Sequence, residues 1–347
     1  VARHRVLTQK IVKQMKQLVV WSIILLGGFG CQAQTKNNMT NDSTNPLLCD
    51  PEKGACELPG ATNPATTATH TTKQNKPVKI IYFTDPICSS CWGIEPQLKK
   101  LKLEYGTSVE INYHMGGLLP DWSYNSGGIS KPSDVAHHWD EVSRYYDMPI
   151  DGNVWLEDPL SSSYPPSIAF KAAQLQDEEK ALLFLRRIRE MVFLEKKNIT
   201  KWEHLHVAAT ETGLDPVKLK SDYETTAIQL FQLDLELGGK LGVRGFPTLF
   251  FVDGVNNQQQ VYGFAPYPSF EAAVLKLDPT AHKTKYDTTW AGLFGKFETL
   301  STREFSELAG LPKKESETLL QKLADEGKLT QLNYRNGVMW TSRKKNP

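Results

Sequence analysis

With 347 residues, 40% of them hydrophobic and 23% charged, the chain is long enough for two domains and apolar enough for a sizeable core. Forty Lys and Arg stand against 39 Asp and Glu, a net charge of +1. That balance excludes a general electrostatic pull toward nucleic acid or an acidic surface, so any specific partner has to be read from local features.

The first such feature is the amino terminus. Arg3, Arg5, Lys10, Lys13 and Lys16 precede the first acidic residue, Asp42, and lead into "LVVWSIILLGGFG" and Cys31. This apolar run is shorter than the ~20 residues a membrane-spanning helix needs. A basic region, a short apolar core and small residues are instead the parts of a secretory signal. Because it ends on a cysteine, segment 1–31 resembles a bacterial lipoprotein signal, although Gly28 stands where an aliphatic residue is usual. Cys31 would then carry the lipid and hold the protein on the periplasmic side of a membrane. Met15 and Met39 are alternative starts; starting at Met39 would leave a cytoplasmic protein.

Residues 32–77 are rich in Thr, Asn, Ala and Pro and hold few apolar anchors, so they read as a flexible tether. Its exception is "LLCDPEKGACELPG", where Asp50-Pro51 and Gly54 favour a turn that brings Cys49 and Cys56 together. A local disulfide staple and a secondary redox pair are both consistent with that spacing. With Cys31 set aside, four cysteines remain in two close pairs, which suits a disulfide-permissive compartment.

The body opens with "VKIIYFTD" (78–85), β-branched and aromatic, which predicts a strand. A helix from about Cys88 to Glu104 follows, with Ile94, Leu98 and Leu101 at helical spacing and a kink at Pro96. "SVEINYHMG" (108–116) alternates as a second strand. Residues 133–241 lack strand patterns and predict helices, above all "DEEKALLFLRRIREMVFLEKK" with its acidic start and basic end. "FPTLFFVDG" (246–254) and "QQQVYGF" (258–264) restore strands, and "SFEAAVLKL" closes as a helix. In the tail, 286–347, "TLSTREFSELAG" and "PKKESETLLQKLADEGK" predict two helices. "LTQLNYRNGVMWTS" predicts a hairpin turning at Asn336-Gly337. Helix, turn, helix, hairpin is a winged-helix-like order.

Cys88 and Cys91 fall at the strand-to-helix junction. A thiol placed there faces unpaired backbone N–H groups that stabilise its thiolate. Cys88 could attack a substrate disulfide and Cys91 resolve the mixed disulfide. The strand–CxxC–helix order, Pro96 and the later "VRGFPTLFF" together resemble the DsbA-like branch of the thioredoxin superfamily. "DPICSSCWGIEPQLKKLKLEYG" and "GGLLPDW" look closest to SpxH/YjbH-type proteins.

The resemblance implies an α/β architecture, a thioredoxin fold over 78–285 with an all-α insertion at about 130–241; the winged-helix-like domain over 286–347 and the Cys49/Cys56 pair are departures from DsbA. It implies Cys88 as nucleophile, Cys91 as resolving thiol and Pro247 as a cis-proline. Phe246 would pair with an extended substrate as an added strand. Trp92, Leu118, Leu119, Trp122 and Phe246 are candidates for an apolar rim around the site, with burial in the core the simpler reading for Trp92 and Leu118. Ser89-Ser90 replace the Pro-His that DsbA carries between its cysteines, so no positive charge comes from between the sulfurs and a less oxidising pair is expected.

No metal and no cofactor are expected. A zinc site built from both cysteine pairs would draw two ligands from the tether, and His137-His138 and His204/His206 lack a surrounding ligand cluster. Glu315, Glu317, Asp325 and Glu326 in the second tail helix argue against DNA. The leading expectation is a lipid-anchored, periplasmic thiol–disulfide oxidoreductase acting on protein substrates with cysteines and regenerated by a redox partner. The alternative implied by the resemblance is a cytosolic adaptor of the SpxH type, delivering a redox-sensing transcription regulator to the ClpXP protease.

Overall fold

The computed structural model describes residues 49–50, 55–57, 77–123 and 130–342; the leader and Cys31 lie outside these. Two short strands, β1 (Cys49–Asp50) and β2 (Ala55–Glu57), precede the body. The central sheet has four strands in the order β4-β3-β6-β7: β3 is Val78–Thr84, β4 Val109–Met115, β6 Thr248–Asp253 and β7 Gln258–Tyr262. β3 and β4 run parallel, Tyr82 opposite Tyr113, while β6 pairs antiparallel with β3 and β7.

Strand alternation sorts β3 between two cores. Val78, Ile80 and Tyr82 face Leu98, Leu101 and Phe270; Ile81 and Phe83 join the larger cluster shared with the helical insertion. The sheet is buried on both faces, which is why β3 reads as an almost unbroken apolar run.

The expected helix after β3 is two helices. α1 spans Ser89–Gly93, and α2 spans Glu95–Tyr105, with Ile94 as the hinge between them. Pro96 sits in the first turn of α2, where its missing N–H costs no intrahelical bond. The proline therefore starts a helix here instead of kinking one.

Between β4 and β6 the described residues hold seven helices: α3 (Pro132–Tyr146), α4 (Val154–Glu157), α5 (Tyr164–Gln174), α6 (Glu178–Phe193), α7 (Trp202–Glu211), α8 (Pro216–Tyr223) and α9 (Thr226–Lys240). α6 starts where Asp177 caps the backbone N–H groups of Glu179 and Lys180, both at 2.9 Å. Its Phe184, Leu185, Ile188 and Val192 are buried at helical spacing. After α9 comes β5 (Gly245–Phe246), and α10 (Tyr267–Leu277) closes the sheet unit.

The carboxyl-terminal part holds α11 (Trp290–Lys296), β8 (Thr299–Ser301), α12 (Thr302–Ala309), α13 (Lys313–Asp325), β9 (Leu329–Tyr334) and β10 (Gly337–Ser342). Its sheet order is β8-β10-β9. The segment read as one helix from Thr299 is thus a strand followed by a helix. Ser301 ends β8 and caps α12 through a reciprocal capping box with Glu304.

This part does not stand alone. Glu304 is fully buried, receives two bonds from Arg186 (2.8 and 3.1 Å) and one from Lys99 (2.8 Å), and so joins α12 to α6 and α2. All the described residues fall in one compact unit.

Candidate functional site

Cys88 is the N-cap of α1, its backbone extended at φ −75°, ψ 109°. The Cys91 N–H donates to the Cys88 sulfur at 3.2 Å, so the cap is the thiol itself. Both cysteines are wholly buried.

Burial changes the expected electrostatics. Desolvation pushes the Cys88 thiol well up, reinforced by its sulfur–sulfur hydrogen bond to Cys91 and opposed by the Cys91 N–H. Desolvation acts on Cys91 too, but the bond from Cys88, the Arg189 guanidinium and Thr84 together bring it below the usual value. The expectation of a lowered Cys88 is therefore not met in this buried arrangement: one backbone amide, on a helix of five residues, does not outweigh removal from water.

The positive charge that Ser89 and Ser90 cannot supply comes from the insertion. Arg189, 1% exposed on α6, bonds Thr84 Oγ1 at 2.6 Å and the Asp85 carbonyl at 3.3 Å, and pairs with Glu95 at 2.7 Å. Its charge acts on both cysteines. Arg189 was not singled out in the sequence, although it lies on the apolar face of α6, one residue after Ile188 and four after Leu185.

Asp85, three residues before Cys88, was also passed over. It is completely buried, accepts from the N–H groups of Ile87 (3.0 Å) and Leu118 (2.8 Å) and from Ser163 Oγ (2.8 Å), and burial raises its pKa to about 6. Its charge adds to the upward pressure on Cys88. A buried acid titrating near 6 beside two thiols can exchange a proton with them near neutral pH.

Of the rim candidates, Trp92, Leu118, Leu119 and Phe246 are core instead, while Trp122 is half-buried against that core. Trp92 is fully buried, donates Nε1–H to the Pro149 carbonyl at 3.0 Å, stacks on Phe193 at 5.5 Å and lies under Arg186 at 4.4 Å. Leu118 and Leu119 are buried as well, and the Phe246 ring is wholly inside. A Cβ on Gly116 would lie 1.8 Å from that ring, so glycine there is what admits Phe246. Trp92 thus locks α1 to the insertion, as does Ser90, whose hydroxyl sits 2.6 Å from the Tyr146 hydroxyl.

The Phe246–Pro247 peptide is cis. Beside it, the backbone of β5 already carries an added strand from this chain: β2 pairs antiparallel with β5, Cys56 opposite Phe246 and Glu57 opposite Gly245. β1 pairs with β2, Cys49 opposite Cys56, and β2 also lies against α1.

Of the four histidines considered, His138 and His204 are held inside the fold, and His137 and His206 are exposed. His138 is buried in α3 with its pKa lowered to about 4 by desolvation, and His204 Nδ1 bonds the Asn198 carbonyl oxygen at 2.8 Å. Among the described residues no group of three His, Cys, Asp or Glu is placed to hold a metal, and no helix is long and apolar enough to cross a membrane.

A family model described as Thioredoxin matches residues 82–272. The chain is 33% identical over 302 residues to the ClpXP adapter protein SpxH of Halalkalibacterium halodurans, covering 85% of this chain and 97% of that protein. Against the ClpXP adapter protein SpxH of Bacillus subtilis it is 30% identical over 272 residues, covering 77% and 90%. The crystal structure of a candidate protein disulfide isomerase from Nitrosomonas europaea superposes with a TM-score of 0.50 at 21% identity, over 58% of this chain and 96% of that one, a likeness of fold. With a CxxC pair capping the helix after β3 and relatives matched along nearly their whole length, the chain belongs to the thioredoxin family and, within it, to the SpxH family.

Proposed function

We propose that the chain is an adaptor of the SpxH type, which binds a client protein and passes it to the ClpXP protease. The observation that carries this reading is the 33% identity to a ClpXP adapter protein along 97% of that protein's length. The reading is supported by the β5 edge, whose backbone takes an extended segment by strand addition; β2 of this chain pairs there, and a client strand would take its place. The client class is a redox-sensing transcription regulator. The winged-helix-like arrangement of α12, α13, β9 and β10 serves as a protein-contact module in this reading, and the protein works in the cytoplasm. The test is reconstituted degradation of such a regulator by ClpXP with and without this protein. Acceleration of about tenfold or more is expected; unchanged degradation together with no binding of the regulator would overturn the reading.

A second reading, thiol–disulfide exchange on protein substrates, is favoured by one specific observation. Cys88 and Cys91 sit where a backbone N–H, a buried arginine and a buried acid all act on their sulfurs. Here Cys88 attacks, Cys91 resolves, and a redox partner restores the pair; the chain is exported and held by a lipid on Cys31. Insulin reduction or ribonuclease reoxidation by wild type and Cys88→Ser tests the chemistry, and loss of activity in the variant is expected. Mass spectrometry of the mature amino terminus separates the compartments, since a fatty-acylated Cys31 excludes the adaptor role.

A further inference from the structure

The Cys49/Cys56 hairpin occupies the place where a substrate strand would lie. β2 pairs with β5 immediately before Pro247 and lies against the helix that carries Cys91. Cys49, Cys56 and Phe246 are successive Cα partners across the three strands β1-β2-β5.

We infer that Cys49 and Cys56 form a second redox centre that exchanges its disulfide with Cys88–Cys91 within one chain. This rests on the thiol-exchange reading and goes beyond the adaptor reading.

The register supplies the chemistry. Directly opposed residues of an antiparallel pair lie about 4.5–5.5 Å apart at Cα, inside the ~4.4–6.8 Å that a disulfide spans. The Cα register of Cys49 and Cys56 is therefore one that a disulfide can span. Cys56 is on the strand that pairs with β5 and Cys49 on the strand beyond it, so the proposal assigns Cys56 as the position attacked and Cys49 as the leaving group.

The Cys88 thiol gives its proton to the Cys91 thiolate it is hydrogen-bonded to as its sulfur bonds to Cys56; the Cys49–Cys56 bond breaks, Cys49 leaves as a thiolate, and that thiolate takes up the proton from Cys91. The Cys91 thiolate then attacks Cys88, closing Cys88–Cys91 and releasing Cys56, which is protonated in turn. Two electrons and two protons pass from the Cys88/Cys91 dithiol to the hairpin disulfide, and no outside oxidant enters the exchange. Run backward, the same steps return the disulfide to the hairpin. Because the hairpin is tethered, its effective concentration at the site is on the order of millimolar, so an outside disulfide at micromolar levels competes poorly.

The test uses the full chain carrying Cys31→Ser, in two trapping variants exposed to glutathione disulfide. Cys49→Ser/Cys91→Ser leaves Cys56 and Cys88; Cys56→Ser/Cys91→Ser leaves Cys49 and Cys88. Equal thermal transitions establish that both fold, and non-reducing peptide mapping reads the linkage. The expected result is a Cys56–Cys88 disulfide exceeding the Cys49–Cys88 one by about tenfold or more. Cys88 carrying glutathione while Cys56 stays free to be alkylated would overturn the relay and leave thiol exchange standing. Cys88 forming no disulfide with either cysteine or with glutathione would overturn thiol exchange, and the relay with it. Equal yields of the two linkages would overturn the assignment of Cys56 as the attacked sulfur and with it the register argument.

Discussion

Asp85 offers a sharp test of how burial sets the chemistry of this site. Its carboxyl is fully buried and pushed up from 3.8 to about 6, desolvation outweighing the hydrogen bonds from Leu118, Ile87 and Ser163 and the charge of Arg189. The folded state therefore holds the proton more tightly than the unfolded chain. Stability is highest below the unfolded value of 3.8 and falls as pH rises, until the loss is complete above about 6. The full window is worth about 3 kcal/mol at 1.36 kcal/mol per pH unit, of which roughly 2 kcal/mol falls between about pH 4 and pH 7.5.

Asp85→Asn removes the titration. It also sets an amide donor against one of the donors that Asp85 satisfies, at a cost of about 1–3 kcal/mol that does not vary with pH. Urea denaturation of wild type and variant at both pH values separates the two effects. The variant should gain roughly 2 kcal/mol on wild type between about pH 4 and pH 7.5, whatever its absolute stability. An equal stability difference at both pH values would show that Asp85 titrates as an ordinary carboxylate, and the account of a buried acid beside Cys88 would fail.

Glu304→Gln leaves Arg186 and Lys99 facing a neutral amide in a buried site, and urea titration should show a loss of about 3–5 kcal/mol. Since its neighbours hold the Glu304 carboxyl below the usual range, its contribution is present above the unfolded pKa and lost as pH falls, so the variant's acid limb should flatten. Arg189→Met removes the cation that lowers Cys91, so ultraviolet titration should place the first thiolate step at higher pH; an unmoved step would dismiss Arg189 as an influence on the thiols. Gly116→Ala drives a methyl group into the Phe246 ring and should cost about 1–3 kcal/mol in denaturation. Gly239→Ala, where nothing lies within 4 Å, should instead be neutral or stabilising by about 0.5–1 kcal/mol.

The local order of the fold was legible in the chain because strand alternation and helical spacing are properties of near neighbours. That is why β3, β4, β6, β7, the all-helical stretch and the last hairpin could be placed from residues alone, although the hairpin turns at Arg335-Asn336 and not at Asn336-Gly337, and the strand expected from Phe246 is split at Pro247 into β5 and β6. The CxxC pair at the end of a strand was legible for the same reason: Cys88 caps the helix that it precedes.

What surrounds those sulfurs was decided by tertiary packing. Arg189 reaches Glu95 across 94 positions, and Glu304 reaches Lys99 across 205. Neither pairing leaves a periodic trace, because a buried charge is tolerable only after distant elements have docked around it. The same docking turned Trp92 and the Phe246 ring from candidate contact surface into core and pushed the Cys88 thiol up. It also laid Cys56 opposite Phe246, a register set by strand pairing between a short segment of the tether and a distant edge. Sequence determined where the thiols stand along the chain; the fold decided which charges stand beside them and which strand lies against the helix that carries Cys91.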